Sequence, residues 1–276
     1  MEESMSNQLY NLAKHTPLQY SERLSDCFDA EIYLKREDLQ DVRSYKIRGA
    51  YNFLLQLSKP DRARGVVTAS AGNHAQGVAQ AAAKLQTFST IFVPTTTTQQ
   101  KIDRIQYFGK DYTSIHITGD DYDACAASAQ KFALTSKLVY VPPFDHSDII
   151  DGQASVGAEI LSALADTALI VCPIGGGGLC AGVARSIEKT KSQARIIAVE
   201  PLGAASMKQS IAAGHPVRLE NIDGFVDGAA VKRVGAITFA ILQRSLDAVY
   251  TVDNATLCQA MIALYQNEGI IAEPAG

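Results

Sequence analysis

The sequence has no CxxC pair, no long run of basic residues and no apolar stretch long enough to cross a membrane. Its cysteines are odd in number and scattered, at Cys27, Cys125, Cys172, Cys180 and Cys258. This distribution is typical of reduced thiols in the cytosol, and it argues against both a disulfide framework and a zinc site built on cysteine pairs. The longest apolar stretches are short and interrupted, so the sequence predicts no membrane-spanning helix.

Histidines with the spacing of metal ligands are also missing. His15, His116, His146 and His215 stand far apart, so we expect structural or surface roles for them and no metal site. The first seven residues are polar and acidic, which indicates neither a secretory nor a transit peptide. We therefore expect a cytoplasmic protein.

Charge and composition narrow the class of protein further. The 25 basic and 29 acidic residues give a net charge of −4, so we expect neither a nucleic acid nor a membrane as partner. Hydrophobic residues make up 47% and charged residues 20%, which is the balance of a soluble α/β protein. A chain of 276 residues can bury the core of one large domain or of two modest ones.

Short β-branched runs alternate with stretches whose apolar residues have helical spacing. This order predicts parallel sheets covered by helices, and hence an α/β fold. The aspartates that precede Tyr122 and Leu257 predict helix starts. The predicted strands are 31–35, 65–69, 90–93, 114–117, 138–141, 168–173, 195–199 and 248–252.

Lys46 stands in the most informative run of the chain, between an apolar segment at 32–34 and a helix-like segment at 51–57. A lone lysine at such a junction is most often an ordinary solvated charge. Two further runs change this interpretation because both lie at strand-to-helix junctions, SAGNHAQG at 70–77 and GGGGL at 175–179. A lysine that can form a Schiff base, a polar loop and a glycine-rich phosphate cradle are the parts needed to hold pyridoxal phosphate.

The run at 70–77 follows the predicted strand 65–69 and opens a helix. Taken alone, Ser70 or Asn73 is explained equally well as a helix N-cap. The functional interpretation uses the same geometry, because backbone N–H groups at the start of a helix form a natural site for a carboxylate.

The glycine run is the most ambiguous signal. Its position at a strand-to-helix junction would let the amides of Gly175 to Gly178 surround a phosphate. The same run fits a dinucleotide-binding fingerprint, Gly176-x-Gly178-x-x-Ala181, with Glu200 as the ribose-binding acid, and a plain tight turn is the third possibility. Context favours the phosphate cradle, because 174 residues precede the run and dinucleotide-binding domains usually open with it.

In this order, the three runs resemble the fold-type II (tryptophan synthase β-like) pyridoxal-phosphate enzymes, and most closely the threonine dehydratase (threonine ammonia-lyase) family. The resemblance covers essentially the whole chain from Thr16 onward and points to the biosynthetic branch. Three positions depart from the family pattern: Tyr45 replaces phenylalanine, Ala154 replaces glycine and Ala229 replaces valine. Further matching segments are 15–18, 142–147, 152–153, 213–217, 228–235 and 273–276.

The resemblance implies roles for individual residues. Lys46 would be the catalytic Schiff-base lysine, and His74 would give support without transferring protons. The implied cofactor-binding residues are Lys46, Asn73, Gly175, Gly176, Gly177, Gly178 and Leu179. The implied substrate-binding residues, which would receive the substrate carboxylate, are Ser70, Ala71, Gly72, Asn73 and His74.

It also implies two three-layer domains with parallel sheets and the cofactor between them. A small domain at 65–142 would be inserted in a large cofactor-binding domain formed by 1–64 and 143–276. In the family another helix and strand follow the point where this chain ends. We therefore expect the chain to be a fragment whose large domain exposes apolar surface.

The activity implied is β-elimination from L-threonine to 2-oxobutanoate and ammonia, the first step of isoleucine biosynthesis, in a homo-oligomer, with L-serine a poorer substrate. Serine racemase, the nearest rival, has a serine where this chain has Ala71, so we expect no appreciable racemisation. That relative also binds a divalent metal through ligands that match Glu200 and Ala204 but not Ser206, so we expect no metal. Two further functions stay open: a serine dehydratase of this fold, and a non-catalytic nucleotide-binding protein that uses the Gly176 and Glu200 pattern.

Overall fold

The computed structural model describes residues 8–276. The polar N-terminus, on which the expectation of no targeting peptide rests, lies outside the described residues. Two compact units divide the described chain, one formed by 8–14 with 40–152 and the other by 15–39 with 153–276. Each unit contains one parallel sheet, which confirms the predicted α/β class with two parallel sheets.

Strands and helices alternate along most of the chain. Within the described residues the strands are β1 (Leu18–Tyr20), β2 (Tyr33–Lys35), β3 (Val66–Ala69), β4 (Ser89–Val93), β5 (Thr113–Ile117), β6 (Val139–Tyr140), β7 (Leu169–Pro173), β8 (Arg195–Pro201) and β9 (Ala248–Val252). The α-helices are α1 (Glu22–Phe28), α2 (Lys46–Gln56), α3 (Lys59–Arg64), α4 (Asn73–Leu85), α5 (Gln99–Gly109), α6 (Tyr122–Ser136), α7 (Ser147–Ala163), α8 (Gly178–Thr190), α9 (Ser206–Ala213), α10 (Ala236–Leu242) and α11 (Asn254–Glu268).

The first unit is built on a four-stranded parallel sheet with the order β5-β4-β3-β6. All four residues of β3 are buried, as expected of a central parallel strand whose faces are both covered. The main core of this unit joins apolar residues of α2, α4 and the sheet, among them Ile47, Leu54, Val78 and Ile91. These helices therefore fix the position of the loops that follow β3 and β6.

The second unit combines a parallel sheet, β7-β8-β9, with the antiparallel pair β1-β2. Glu159 of α7 anchors the segment around β1 and β2, because its carboxylate accepts hydrogen bonds from Lys35 Nζ at 2.5 Å and from the Thr16 amide at 3.4 Å. The Lys35 and Glu159 side chains are only 11% and 9% exposed, so water screens this ion pair weakly.

Local signals in the sequence located several elements accurately. The predicted strand 248–252 coincides with β9, and both predicted aspartate caps are present. Asp121 accepts from the Ala124 amide and Asp253 from the Thr256 amide, each at 2.9 Å. The strand predicted at 31–35 is shorter, since β2 begins at Tyr33.

The compact units differ in extent from the predicted domains. The first unit includes α2, α3 and residues 143–152 in addition to the predicted small domain at 65–142. A division by compactness does not test where one domain is inserted in another, so the limits at 65 and 142 stay a prediction. Among residues 8–276, no helix has both the length and the apolar character needed to cross a membrane.

Glu200 organises the turn between β8 and α9. Its carboxylate, only 1% exposed, accepts hydrogen bonds from the amides of Met207 at 2.6 Å and Lys208 at 2.9 Å, in the first turn of α9. Burial raises the pKa of Glu200 to about 7, against the opposing effects of these two amides and of the Lys208 charge. In the folded state the Glu200 carboxyl group therefore stays protonated up to near-neutral pH.

We expect this group to make the stability depend on pH. Between about pH 4.5, the ordinary value for the unfolded chain, and about pH 7, the folded state binds more protons than the unfolded state. The contribution of Glu200 to the free energy of unfolding therefore falls as pH rises through this window, by an amount on the order of 3 kcal/mol, and changes no further above it. Other groups such as the buried His74 also titrate in this window, so the test is the difference between two proteins. From pH 4.5 to pH 8, the free energy of unfolding measured with denaturant should change by about 3 kcal/mol more in the negative direction in the wild type than in Glu200→Gln.

Glu188→Gln is the matched control, because Glu188 is exposed on α8. It should retain the wild-type dependence. Equal dependence in Glu200→Gln and the wild type would contradict the assignment.

Candidate functional site

Lys46 is the first residue of α2. The sequence pattern predicted a helix from about residue 51. The helix begins five residues earlier, so Lys46 lies within the helix and not in the junction that precedes it. Its Nζ donates a hydrogen bond to the Pro143 carbonyl at 2.9 Å and lies 5.6 Å from the centre of the Tyr45 ring. Because Pro143 follows β6, the amine lies at the carboxyl end of a parallel sheet, where such folds usually bind ligands.

The run 70–74 connects β3 to α4 without a side-chain cap. Gly72 is the N-cap residue and Asn73 the first helical residue, so neither Ser70 nor Asn73 is the N-cap that the structural interpretation of this run requires. The Ser70 hydroxyl instead accepts from the Gly72 amide at 3.2 Å. The first-turn amides of α4, which lack intrahelical partners, are thus suited to a carboxylate.

His74 is held as a neutral imidazole. Its Nε2 lies 3.2 Å from the Val141 carbonyl, which can only accept, so Nε2 carries the hydrogen. Burial, and then the charge of Lys46, lower the pKa of His74 to about 3, although the Val141 carbonyl opposes the shift. Nδ1 is buried and has no hydrogen-bond partner among the described residues. With so low a pKa, His74 is a poor base at neutral pH.

The glycine run forms a tight turn between β7 and α8. Gly177, the N-cap residue of α8, has φ +93°, a conformation that favours glycine. A Cβ on Gly175 would lie 2.8 Å from Ala229, one of the positions that depart from the family pattern. Backbone amides of such a turn, at the start of a 13-residue helix, match the requirements of a bound phosphate.

The predicted site residues fall into the two units. Lys46 and residues 70–74 lie in the first unit, and residues 175–179 lie in the second. Each group suits one part of pyridoxal phosphate or an amino acid: an amine that can react with a carbonyl carbon, an uncapped helix start for a carboxylate, and a glycine turn for a phosphate. The residues present therefore fit the cofactor, although their individual roles stay a prediction.

Glu200 does not support a nucleotide site. Its carboxylate is buried and bonded to the start of α9, so it is not presented to a ribose hydroxyl. Between residues 8 and 276, no group of three or more His, Cys, Asp or Glu side chains is arranged to hold a metal ion.

Sequence reasoning missed the two carbonyl groups that bind Lys46 and His74. The Pro142-Pro143 pair interrupts the alternation of strands and helices in the sequence. No residue type, however, indicates that the backbone carbonyls of Val141 and Pro143 accept hydrogen bonds. It also missed Gly77, the last residue of the run 70–77, which approaches the α2 backbone.

Comparison with protein families and curated proteins identifies relatives of this chain. The family model described as "Pyridoxal-phosphate dependent enzyme" matches residues 10–276. The biosynthetic L-threonine dehydratase IlvA of Mycobacterium tuberculosis (strain H37Rv) is 49% identical over 264 residues, which are 95% of this chain and 62% of that protein. The protein of the same name from Bacillus subtilis is 44% identical over 263 residues, with the same shares of the two chains. The chain thus spans less than two thirds of the length of these curated relatives.

Solved structures give the same result. The processed form of threonine deaminase isoform 2 from Solanum lycopersicum superposes with a TM-score of 0.93 at 40% identity, over 100% of this chain and 82% of that one. Maize serine racemase also superposes with a TM-score of 0.93, at 28% identity, over 99% of this chain and 82% of that one. With the family match over nearly its full length, the chain belongs to the pyridoxal-phosphate-dependent enzymes, in the branch of the threonine dehydratases.

Proposed function

We propose that the protein containing this chain removes ammonia from L-threonine with pyridoxal phosphate and releases 2-oxobutanoate. The observation that carries the proposal is the position of the Lys46 amine, at the carboxyl end of the parallel sheet that also leads into the uncapped start of α4. The substrate assignment is supported by the names of the relatives, biosynthetic L-threonine dehydratase and threonine deaminase. In the overall reaction, L-threonine first loses its β-hydroxyl as water. One water is then taken up when the C–N bond is hydrolysed, so 2-oxobutanoate and ammonia are the net products.

We assign the parts of the site as follows. Lys46 and Asn73 would hold the ring end of the cofactor, and residues 175–179 would hold its phosphate. The amides at 70–74 would receive the substrate carboxylate and so orient the bond from the α-carbon to its hydrogen. Bound pyridoxal phosphate withdraws electrons from the substrate α-carbon and thereby makes the proton on that carbon acidic.

Lys46 is the residue we assign to move that proton. The Pro143 carbonyl holds its Nζ at 2.9 Å, which limits the positions that the amine can take. His74 is not an alternative base, because its pKa of about 3 leaves it little tendency to accept a proton. A neutral His74 next to Lys46 also avoids a second positive charge in the site.

We propose that L-serine is a poorer substrate, that the protein works as a cytoplasmic homo-oligomer, and that the reaction belongs to isoleucine biosynthesis, since the relatives are named biosynthetic enzymes. We also propose that residues 65–142 form an inserted domain.

Replacing Lys46 tests the proposed chemistry. Lys46→Ala should fold normally, since the side chain that is shortened is only half-buried. Formation of 2-oxobutanoate from L-threonine should fall at least about a thousandfold because the proton acceptor is missing. The readout is ketoacid formation together with the visible absorbance of the protein after it has been loaded with cofactor. Lys84→Ala, which removes an exposed lysine from α4, is the control and should match the wild type. Turnover by Lys46→Ala within about tenfold of the wild type would contradict the assignment.

Serine racemisation is the second candidate, because maize serine racemase has nearly the same fold. A racemase needs an acid on the face of the substrate opposite Lys46, and the resemblance to serine racemase implies that a serine at the position of Ala71 supplies it there. The corresponding residue here is Ala71, whose methyl group packs against the main core of the first unit and has no proton to donate.

We therefore expect no D-serine from L-serine. Chiral chromatography of a reaction that contains L-serine should show ketoacid and ammonia only. D-serine formed at a rate comparable to that of ammonia would favour the racemase instead. Ala71→Ser provides the comparison, because it restores the hydroxyl that the racemase has and should raise any racemisation above that of the wild type.

A further inference from the structure

Gly77 lies on the same face of α4 as Asn73, one helical turn away. A Cβ at position 77 would lie 3.3 Å from three backbone atoms of α2, the carbonyl carbon of Lys46 and the amide nitrogen and Cα of Ile47. These are main-chain atoms, so they cannot rotate aside as a side chain would. Because Gly77 has no side chain, α4 can lie close to the backbone of Lys46.

A second helix, α7, also approaches the α2 backbone closely. A Cβ at Gly152 of α7 would lie 2.5 Å from the Arg48 carbonyl oxygen and 2.6 Å from the Gly49 Cα. Polar contacts add to this packing, since Asn52 donates to the Asp148 carbonyl at 2.7 Å and the fully buried Arg48 donates to the Lys14 carbonyl at 3.0 Å. These contacts restrict how far α2 can move.

We propose that Gly77 is a positioning residue that sets the separation between the Lys46 amine and the carboxylate-binding turn at 70–74. A methyl group at position 77 needs a few tenths of an ångström of additional space. Either α2 yields and Lys46 moves, or α4 yields and Asn73 moves. In both cases the distance between the amine and the turn changes, while the groups themselves remain intact. This inference rests on the proposed function for its effect on turnover, but not for its effect on Lys46.

The test is Gly77→Ala in the protein loaded with pyridoxal phosphate. Since a misplacement of about 1 Å can cost about a hundredfold in rate, a shift of a few tenths should lower kcat for L-threonine about tenfold. KM should stay within about twofold, because the carboxylate-binding amides are unchanged. In a second measurement the cofactor is removed and added back, and the rate at which it becomes attached to Lys46, followed by visible absorbance, should fall by a similar factor.

Gly224→Ala is the matched control, because a Cβ there has no neighbour within 4 Å and the residue has no positive φ. It should match the wild type in kcat, in KM and in the rate of cofactor attachment. Circular dichroism and thermal unfolding should show both variants folded.

Three results would overturn the proposal: unchanged kcat and attachment rate in Gly77→Ala, a loss confined to KM, or a variant that does not fold, which would give the contact a role in folding alone. If the wild type does not convert L-threonine, the proposed function fails, but the rate of cofactor attachment still decides the role of Gly77.

Discussion

The carbonyl groups of Val141 and Pro143, just beyond β6, are the acceptors on which the arrangement of the first unit's site depends. The Val141 carbonyl accepts from Thr68 Oγ1 at 2.8 Å and lies 3.2 Å from His74 Nε2, while the Pro143 carbonyl accepts from Lys46 Nζ at 2.9 Å. Thr68 belongs to β3, so the strand itself fixes one of these bonds. A proline has no N–H group, so the Pro142-Pro143 pair offers acceptors to its surroundings without donors of its own.

These hydrogen bonds also explain the chemical state of the site. A buried carbonyl left without a donor would cost about 1–3 kcal/mol, so the imidazole of His74 and the hydroxyl of Thr68 stabilise the fold as well as the site. The bond to Val141 fixes the tautomer of His74, and burial then keeps the ring neutral. The site therefore contains one amine able to react and one imidazole that is not a proton carrier. This division agrees with the proposal that Lys46 acts alone on the substrate proton.

Local sequence patterns predicted most of the strands and helices but not the start of α2, the helix that carries Lys46. β9 and the caps Asp121 and Asp253 follow from short-range hydrogen bonds and alternation, which the sequence displays directly. The sequence pattern did not predict the start of α2 at Lys46. No side chain caps this helix, and residues 47–50 are buried in tertiary contacts. Tertiary packing commonly overrides local propensity in this way.

The candidate site divides in the same way. Lys46, the run 70–77 and the glycine turn were visible as residue types at strand-to-helix junctions. The contacts of Gly77 with α2 and of Lys46 with Pro143 join residues far apart in sequence, which no local pattern encodes. The sequence allows either Ser70 or Asn73 as the N-cap, whereas in the structure Gly72 is the N-cap residue and Asn73 the first helical residue. Sequence therefore identified the groups, and the three-dimensional fold was needed to decide how they are held.

The central claim is that Lys46 is the amine that carries the cofactor. Incubation of the protein with pyridoxal phosphate, reduction with borohydride, proteolysis and mass spectrometry would locate the modified lysine directly. We predict that the label is found on the peptide that contains Lys46 and is nearly absent from Lys35, whose amine is held by Glu159. Label on other lysines with none on Lys46 would contradict the account.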